Sequence, residues 1–259
     1  MTDSTEQRRD AILAELFEKG RVTVKNLAPC LGVSEATVRR DLRMLADAGQ
    51  VEVVFGGATL PRPSDFSFHS KASRNIEAKK IIGRLAAQLV GDNDQVFMDS
   101  GTTSFQMAPY LSRKRGLSIV ANSARLAIEL DAQGPNVILL GGQYRPDRMD
   151  TVGPLATRTL ENLRGYMAMV GADGLCMEFG LTACDIESAH LNALAIANSR
   201  ESVLLVDHSK FRSPSLYKIV DFDAISRIVT DRRPDDEWMA FLEKQYIDVI
   251  YPTEAPDRG

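Results

Sequence analysis

At 259 residues, with 44% apolar and 25% charged side chains, the chain suffices for one large α/β unit or for a small domain joined to a larger one; disordered, collagen-like and coiled-coil architectures are excluded. Thirty-one Lys and Arg against 35 Asp and Glu leave a net charge of −4, so no whole-molecule positive field recruits nucleic acid and any DNA contact has to be local. Cys30, Cys176 and Cys184 fall in no CxxC spacing, the N-terminus is polar, and no apolar run nears the about 18 residues that span a bilayer, so the expectation is a cytoplasmic protein without disulfide framework, zinc knuckle or membrane contact.

Residues 8 to 48 predict three helices in quick succession. Ile12, Leu13, Leu16 and Phe17 share one face of the first, which Lys19-Gly20 stops. A short second helix, Lys25 to Leu31, ends at Gly32, where a positive φ is tolerated. Ser34 is the N-cap type for a third helix with Glu35 in its first turn, and Val38, Leu42 and Leu45 continue the buried stripe. Arg39, Arg40 and Arg43 lie off that stripe. After Gly49, Val51 to Ala58 predicts a short hairpin with a glycine bend.

Pro61 to Ser70, with two prolines and three serines, predicts a linker. The expected division is 1–60, a linker over 61–74, and 75–252. From Lys79 the chain alternates. Strands are expected at Gln95 to Met98, Leu117 to Val120, Val137 to Leu140, Ala168 to Gly171, Val203 to Val206 and Arg227 to Thr230. Helices are expected up to Val90 and at Ser104 to Leu111, Ala124 to Leu130, Ser188 to Ser199 and Glu237 to Lys244. Strands ending in Gly, Asp, Ser or Asn imply a mainly parallel sheet with its ligand chemistry at the carboxyl ends.

A helix, a tight turn and a second helix bearing Ser34, Glu35, Thr37, Arg39, Arg40 and Arg43 are what major-groove docking of double-stranded DNA needs: early residues reach base edges while arginines clamp phosphates. The alternative is a three-helix bundle for protein contacts. VSEATVRRDL (33–42) and GGA (56–58) resemble the winged helix-turn-helix of the DeoR family of transcriptional regulators. Within residues 1 to 60 the family's basic wing is altered: Glu52 and Val53 stand where arginines are common and Phe55 where histidine is common.

Asp99-Ser100-Gly101-Thr102-Thr103 lies between a strand and a helix, a turn that either binds phosphate or simply caps the helix. Asn122-Ser123, Gly141-Gly142, Gly171-Ala172-Asp173-Gly174 and Asp207-His208-Ser209-Lys210 follow other strands and would converge with it on one rim. These pieces resemble the DeoR-family sensor domain from about Glu77 to Thr230. That domain is similar in fold to ribose-5-phosphate isomerase, and the resemblance implies that Lys79 with Gly101, Thr102 and Thr103 holds a phosphate. Where the isomerase has two aspartates in DGADE, this chain has Val170-Gly171-Ala172-Asp173-Gly174, so the base and electrophile pair for isomerisation is incomplete. Asp173 is then expected to accept a sugar hydroxyl. Asn192 stands where the family usually has lysine. Lys210 is read as a phosphate or subunit contact, or as a solvated loop lysine.

His69, His190 and His208 have no metal spacing, Cys176 and Cys184 are expected as small buried hydrophobes, and Trp238 and Tyr246 as packing residues of one C-terminal helix. No cofactor or metal is expected. The resemblance implies an α/β chain acting as a DNA-binding repressor of a carbohydrate operon, released by a phosphorylated sugar or polyol and assembled through its C-terminal part as a dimer or tetramer. The rival is a sugar-phosphate isomerase-like enzyme with an appended helix-turn-helix.

Overall fold

The computed structural model describes residues 3–47, 51–59, 68–130, 134–212 and 214–253, and the chain divides into two compact units, Met1–Arg74 and Asn75–Gly259. In the first, α1 (Asp3–Lys19), β1 (Arg21–Thr23), α2 (Val24–Cys30) and α3 (Glu35–Asp47) precede a hairpin of β2 (Glu52–Val54) and β3 (Gly57–Thr59). Ile12, Leu16, Leu27, Val38, Leu42 and Leu45 meet Val22, Val51 and Ala58 in one core, so these residues of the helical stripes point inward; the side chain of Phe17 lies outside what is described. The Ser34 hydroxyl accepts from the Thr37 N–H at 3.2 Å and caps α3. Gly32 supplies the turn before it with φ +64°.

β1 is absent from the sequence-based expectation because three residues are too few to show an alternation. It pairs antiparallel with β3, from Arg21↔Thr59 to Thr23↔Gly57, giving the order β1-β3-β2. The approach is so close at Gly57 that a β-carbon there would fall 2.0 Å from the Val22 carbonyl oxygen, which only glycine permits. Gly49 and residues 61–67 of the expected linker lie outside the described residues. The rest of the 61–74 stretch departs from an extended linker, since Phe68–Ser73 forms α4; beyond Pro63 it contains no proline or glycine to prevent a helical turn.

The second unit comprises α5 (Ile76–Gln88), β4 (Gln95–Met98), a 3-10 turn (Ser104–Met107), α6 (Ala108–Leu111), β5 (Ser118–Ala121), α7 (Ala124–Glu129), β6 (Asn136–Leu139), β7 (Gln143–Arg145), β8 (Asp150–Val152), α8 (Pro154–Glu161) and β9 (Met167–Gly171). It continues with β10 (Gly174–Cys176), β11 (Gly180–Ala183), α9 (Ile186–Asn198), β12 (Glu201–Leu205), β13 (Tyr217–Lys218), β14 (Arg227–Val229), α10 (Asp236–Lys244) and β15 (Asp248–Ile250). Among the described residues, seven strands form one parallel sheet in the order β15-β14-β12-β9-β4-β5-β6.

Side chains alternate between two cores. Phe97, Ala168, Val170, Leu204 and Val206 pack with α8, α9 and α10, whereas Val96, Met98, Met167, Met169, Val203 and Leu205 pack with α5 and α6. Both faces of the central strands are covered, which is why QVFM, MAMV and SVLLV read as near-continuous apolar runs. The first of these cores closes on Trp238, whose ring meets Phe211 edge-on at 5.2 Å.

Two expectations need correcting here. Ser104 to Leu111 is not one helix but a 3-10 turn followed by one short α segment; Pro109 has no N–H to continue the ladder through that stretch. Tyr246 does not pack on the C-terminal helix with Trp238: α10 ends at Lys244, and Tyr246 sits beyond it at φ +58°, exposed. No helix among the described residues is long and apolar enough to cross a membrane.

Candidate effector rim and DNA-reading helix

The carboxyl ends of the parallel strands bring Asp99 to Thr103, Asn122-Ser123, Gly141-Gly142 and Asp207 to Lys210 to one rim, because every strand of that sheet runs the same way. Asp99 organises it. The buried carboxylate accepts from the Gly101 N–H at 3.0 Å and the Ser104 hydroxyl through Oδ1, and from the Gly171 N–H at 2.8 Å through Oδ2. Asn192 of α9 adds a longer contact, Nδ2 to Oδ2 at 3.4 Å. Burial pushes the Asp99 carboxyl above the usual carboxylate range, against the pull of those donors. Asp99 thus ties β4, β9 and α9 together, and the Gly101 N–H is already engaged with it. The Gly-Thr-Thr turn also leads into a 3-10 turn, not a full α-helix, so its anion-binding capacity rests on loop groups more than on a helix dipole.

Next to it stands an ion network that sequence reading missed. Ser100 Oγ donates to Asp150 at 2.9 Å, and Arg145 grips the fully buried Asp150 with two hydrogen bonds at 2.8 and 2.7 Å. The same guanidinium reaches Asp185 at 2.7 Å, where Arg148 also pairs at 3.4 Å. Asp185 caps α9 by accepting from the Ser188 N–H at 2.7 Å. Burial opposes its charge, but that bond and the two arginines hold it below the usual carboxylate range. The Pro146-Asp147 pair in RPDRMD marked a turn, and the five-residue spacing of Arg145 and Asp150 across it was the available signal.

The other expected residues are placed as follows. Asn122 is buried, donates to the Thr151 carbonyl at 3.2 Å, and leaves Oδ1 with no hydrogen-bond partner. Ser123 Oγ accepts from the Leu126 N–H at 3.2 Å as the cap of α7. Gly142, at φ +141°, turns the chain where a β-carbon would stand 2.5 Å from the Val152 carbonyl oxygen, and Gly141 is exposed. Asp173 accepts from the Cys184 N–H at 2.9 Å and from its thiol at 2.8 Å, while Gly174 begins β10. Cys176 and Cys184 are half-buried and both thiols donate to carboxylates, which corrects their reading as inert buried hydrophobes.

Lys79 is buried on α5. Asn75 fixes the start of that helix to the rim, donating to Asp207 at 3.0 Å and Ser209 at 3.2 Å. One turn beyond Lys79 on the same face, Gly83 abuts Gln106 so closely that a β-carbon would lie 2.6 Å from its backbone. Lys79 therefore stands on the face of α5 that meets the segment following Thr103. Lys210 is half-buried in the 3-10 turn His208–Arg212. Burial opposes the charge of Asp207, yet Ser209 and Lys210 hold it below the usual carboxylate range.

In the first unit, Ser34, Glu35, Arg39, Arg40 and Arg43 are exposed and Thr37 half-exposed along α3. Arg39 pairs with Glu35 at 2.6 Å, an exposed i, i+4 pair that contributes little stability. Below that face, Arg8 donates to the buried Asp41 at 2.6 Å and Arg9 at 3.3 Å, holding α1 against α3. Among the described residues no group of His, Cys, Asp and Glu could hold a metal ion.

Residues 8–64 match the DeoR-like helix-turn-helix domain and residues 74–232 match the DeoR C terminal sensor domain. The chain belongs to the DeoR family. This DeoR-family protein is 29% identical over 251 residues to the putative aga operon transcriptional repressor of Escherichia coli O157:H7, covering 95% of this chain and 93% of that one. It is 30% identical over 248 residues to the HTH-type transcriptional repressor GlcR of Bacillus subtilis (strain 168), covering 95% of each. A ribose 5-phosphate isomerase from Plasmodium falciparum overlaps 52% of each chain at 14% identity and a TM-score of 0.38. The DeoR-family chain is a DNA-binding transcriptional regulator and not an enzyme. Val170 is wholly buried in β9.

Proposed function

We propose that this regulator represses a carbohydrate-catabolism operon from the cytoplasm and is released from duplex operator DNA by a phosphorylated sugar or polyol bound at the rim. The observation that carries the effector class is the Asn122 Oδ1 atom, a buried acceptor without a partner. Such an atom costs free energy until a donor reaches it, and a ligand hydroxyl is such a donor. The rim carboxylates support the same reading. Asp99, Asp150, Asp173 and Asp207 are each engaged by protein donors, so an anionic ligand meets Lys79, Lys210 and the Thr102-Thr103 turn instead of free negative charge.

The test is retention of upstream promoter DNA at two salt concentrations with a panel of sugar and polyol phosphates. Release by one compound is expected. Lys79→Ala and Thr102→Ala are each expected to raise the releasing concentration by about tenfold or more, the worth of one charge-assisted contact, while DNA affinity without effector stays at the wild-type level. Unchanged release in both variants would refute the phosphate-cradle assignment.

Two-fold operators require paired reading helices, which calls for a homo-oligomer. Support comes from β6, an edge strand on which Ile138 and Leu139, pointing to opposite faces, are both exposed, with exposed Ile128 on the preceding α7. An apolar edge open on both faces and carrying no charge suits pairing with a second copy. Leu139→Lys is expected to lower the mass seen in sedimentation and weaken operator binding with it; an unaltered mass would exclude β6 as the contact.

A further inference from the structure

The wing of the DNA-binding unit carries its own chemistry. β2 and β3 are joined by only two residues, Phe55 and Gly56, as the register Val54↔Gly57 shows. The tip is fastened at its root: the Val24 N–H donates to the Gly56 carbonyl at 2.9 Å, Gly57 lies against β1, and Val51 enters the same core as Leu42 and Leu45 of α3. On this anchored hairpin the Phe55 ring is fully exposed, and Val53, two positions earlier on the same strand face, is half-exposed. The β2 strand and its tip contain no cation, and Glu52 adds a negative charge. Such a wing cannot grip phosphates. A rigidly presented aromatic ring can instead enter a groove and part a base step.

We propose that Phe55 is an apolar wedge that enters the minor groove beside the segment read by α3, partly unstacks one base step and bends the operator. The proposal rests on the DNA-binding role of this unit. The three residues of β2 span about 10 Å, and the minor groove is about 6 Å wide, enough to admit a ring edge. The unstacking cost is offset by the apolar burial of the ring and by the additional contacts that bent DNA makes. Such a contact confers preference for deformable steps, TA or CA/TG, at positions that no hydrogen bond reads. It also differs from the phosphate contacts of α3 in leaving the counterion balance untouched.

The test uses the full-length protein and a duplex that it selects from a random pool. Phe55→Ala, at an exposed position where folding is not at stake, is expected to lose about 10- to 100-fold in affinity, the range of one lost specific step. Its salt slope should stay that of the wild type, whereas Arg40→Ala should lose affinity with a shallower slope. End-to-end fluorescence transfer should report a smaller bend for Phe55→Ala, and 2-aminopurine at the wing step should brighten only with the wild type. Changing that step to a stiff G·C pair should weaken the wild type and leave Phe55→Ala unaffected. Equal affinity and bending for the two proteins would overturn the proposal. So would equal responses to the step change, or a loss traced by sedimentation to a lower oligomeric mass, which would assign the ring to a second copy of the chain.

Discussion

Asp41→Ala is expected to abolish operator binding without removing a DNA contact. Asp41 lies on α3 but faces inward, where its carboxylate takes Nε of Arg8 at 2.6 Å and Nε of Arg9 at 3.3 Å. Deletion strands those guanidiniums against α3 and frees α1 from the helix it braces, in a unit whose core is small to begin with. The melting transition of this unit should fall by about 10 °C, since small domains shift by several degrees for each lost kcal/mol, while that of the sensor unit stays in place. Calorimetry resolves the two. If affinity falls with both transitions unmoved, Asp41 and its arginines belong to the DNA interface instead.

Asp99→Asn is expected to loosen the rim at the carboxyl ends of the strands despite removing a buried carboxyl group. Two of the donors aimed at Asp99, the Gly101 and Gly171 N–H groups, are main-chain and cannot reverse, one at each oxygen. Whichever way an asparagine amide lies, its NH2 faces one of them, at a cost of about 2 kcal/mol from a buried donor left without an acceptor. The pH dependence identifies the cause. Because the folded protein raises this carboxyl above its unfolded value, its contribution to stability is full below the unfolded value and is lost as pH rises through the folded one. Wild type should therefore gain on the variant as pH falls through the folded value toward the unfolded one in denaturant titrations. A gap that stays constant with pH would mean that the carboxyl titrates alike in the folded and unfolded states.

Much of this architecture is legible in the chain. QVFM, MAMV and SVLLV announce strands covered on both faces; β4 has the expected bounds, while the ends of β9 and β12 differ by one or two residues because strand ends carry little pattern. VSEATVRRDL displays a cap, a buried stripe and an exposed basic edge in ten residues. What stays hidden depends on partners distant in sequence. β1 exists only because β3 lies beside it, and the Arg145 network joins a hairpin to the cap of α9, 40 residues apart. Asp99 in DSGTT was visible as a polar strand end. Its inward orientation was not, since only the fold brings the Gly171 N–H to its second oxygen. Pro154, by contrast, directly after Gly153, was a readable start for α8 that the strand-by-strand pattern passed over.

Asn75 has a mechanical consequence. It is the first residue of the sensor unit, bonded directly to the last residue of the DNA-binding unit, and it adopts φ +53° while its amide holds Asp207 and Ser209. The second unit therefore begins at a residue that is fixed to the 207–210 turn. A shift of the 207–210 turn carries the start of α5 with it, with no relay through the sheet.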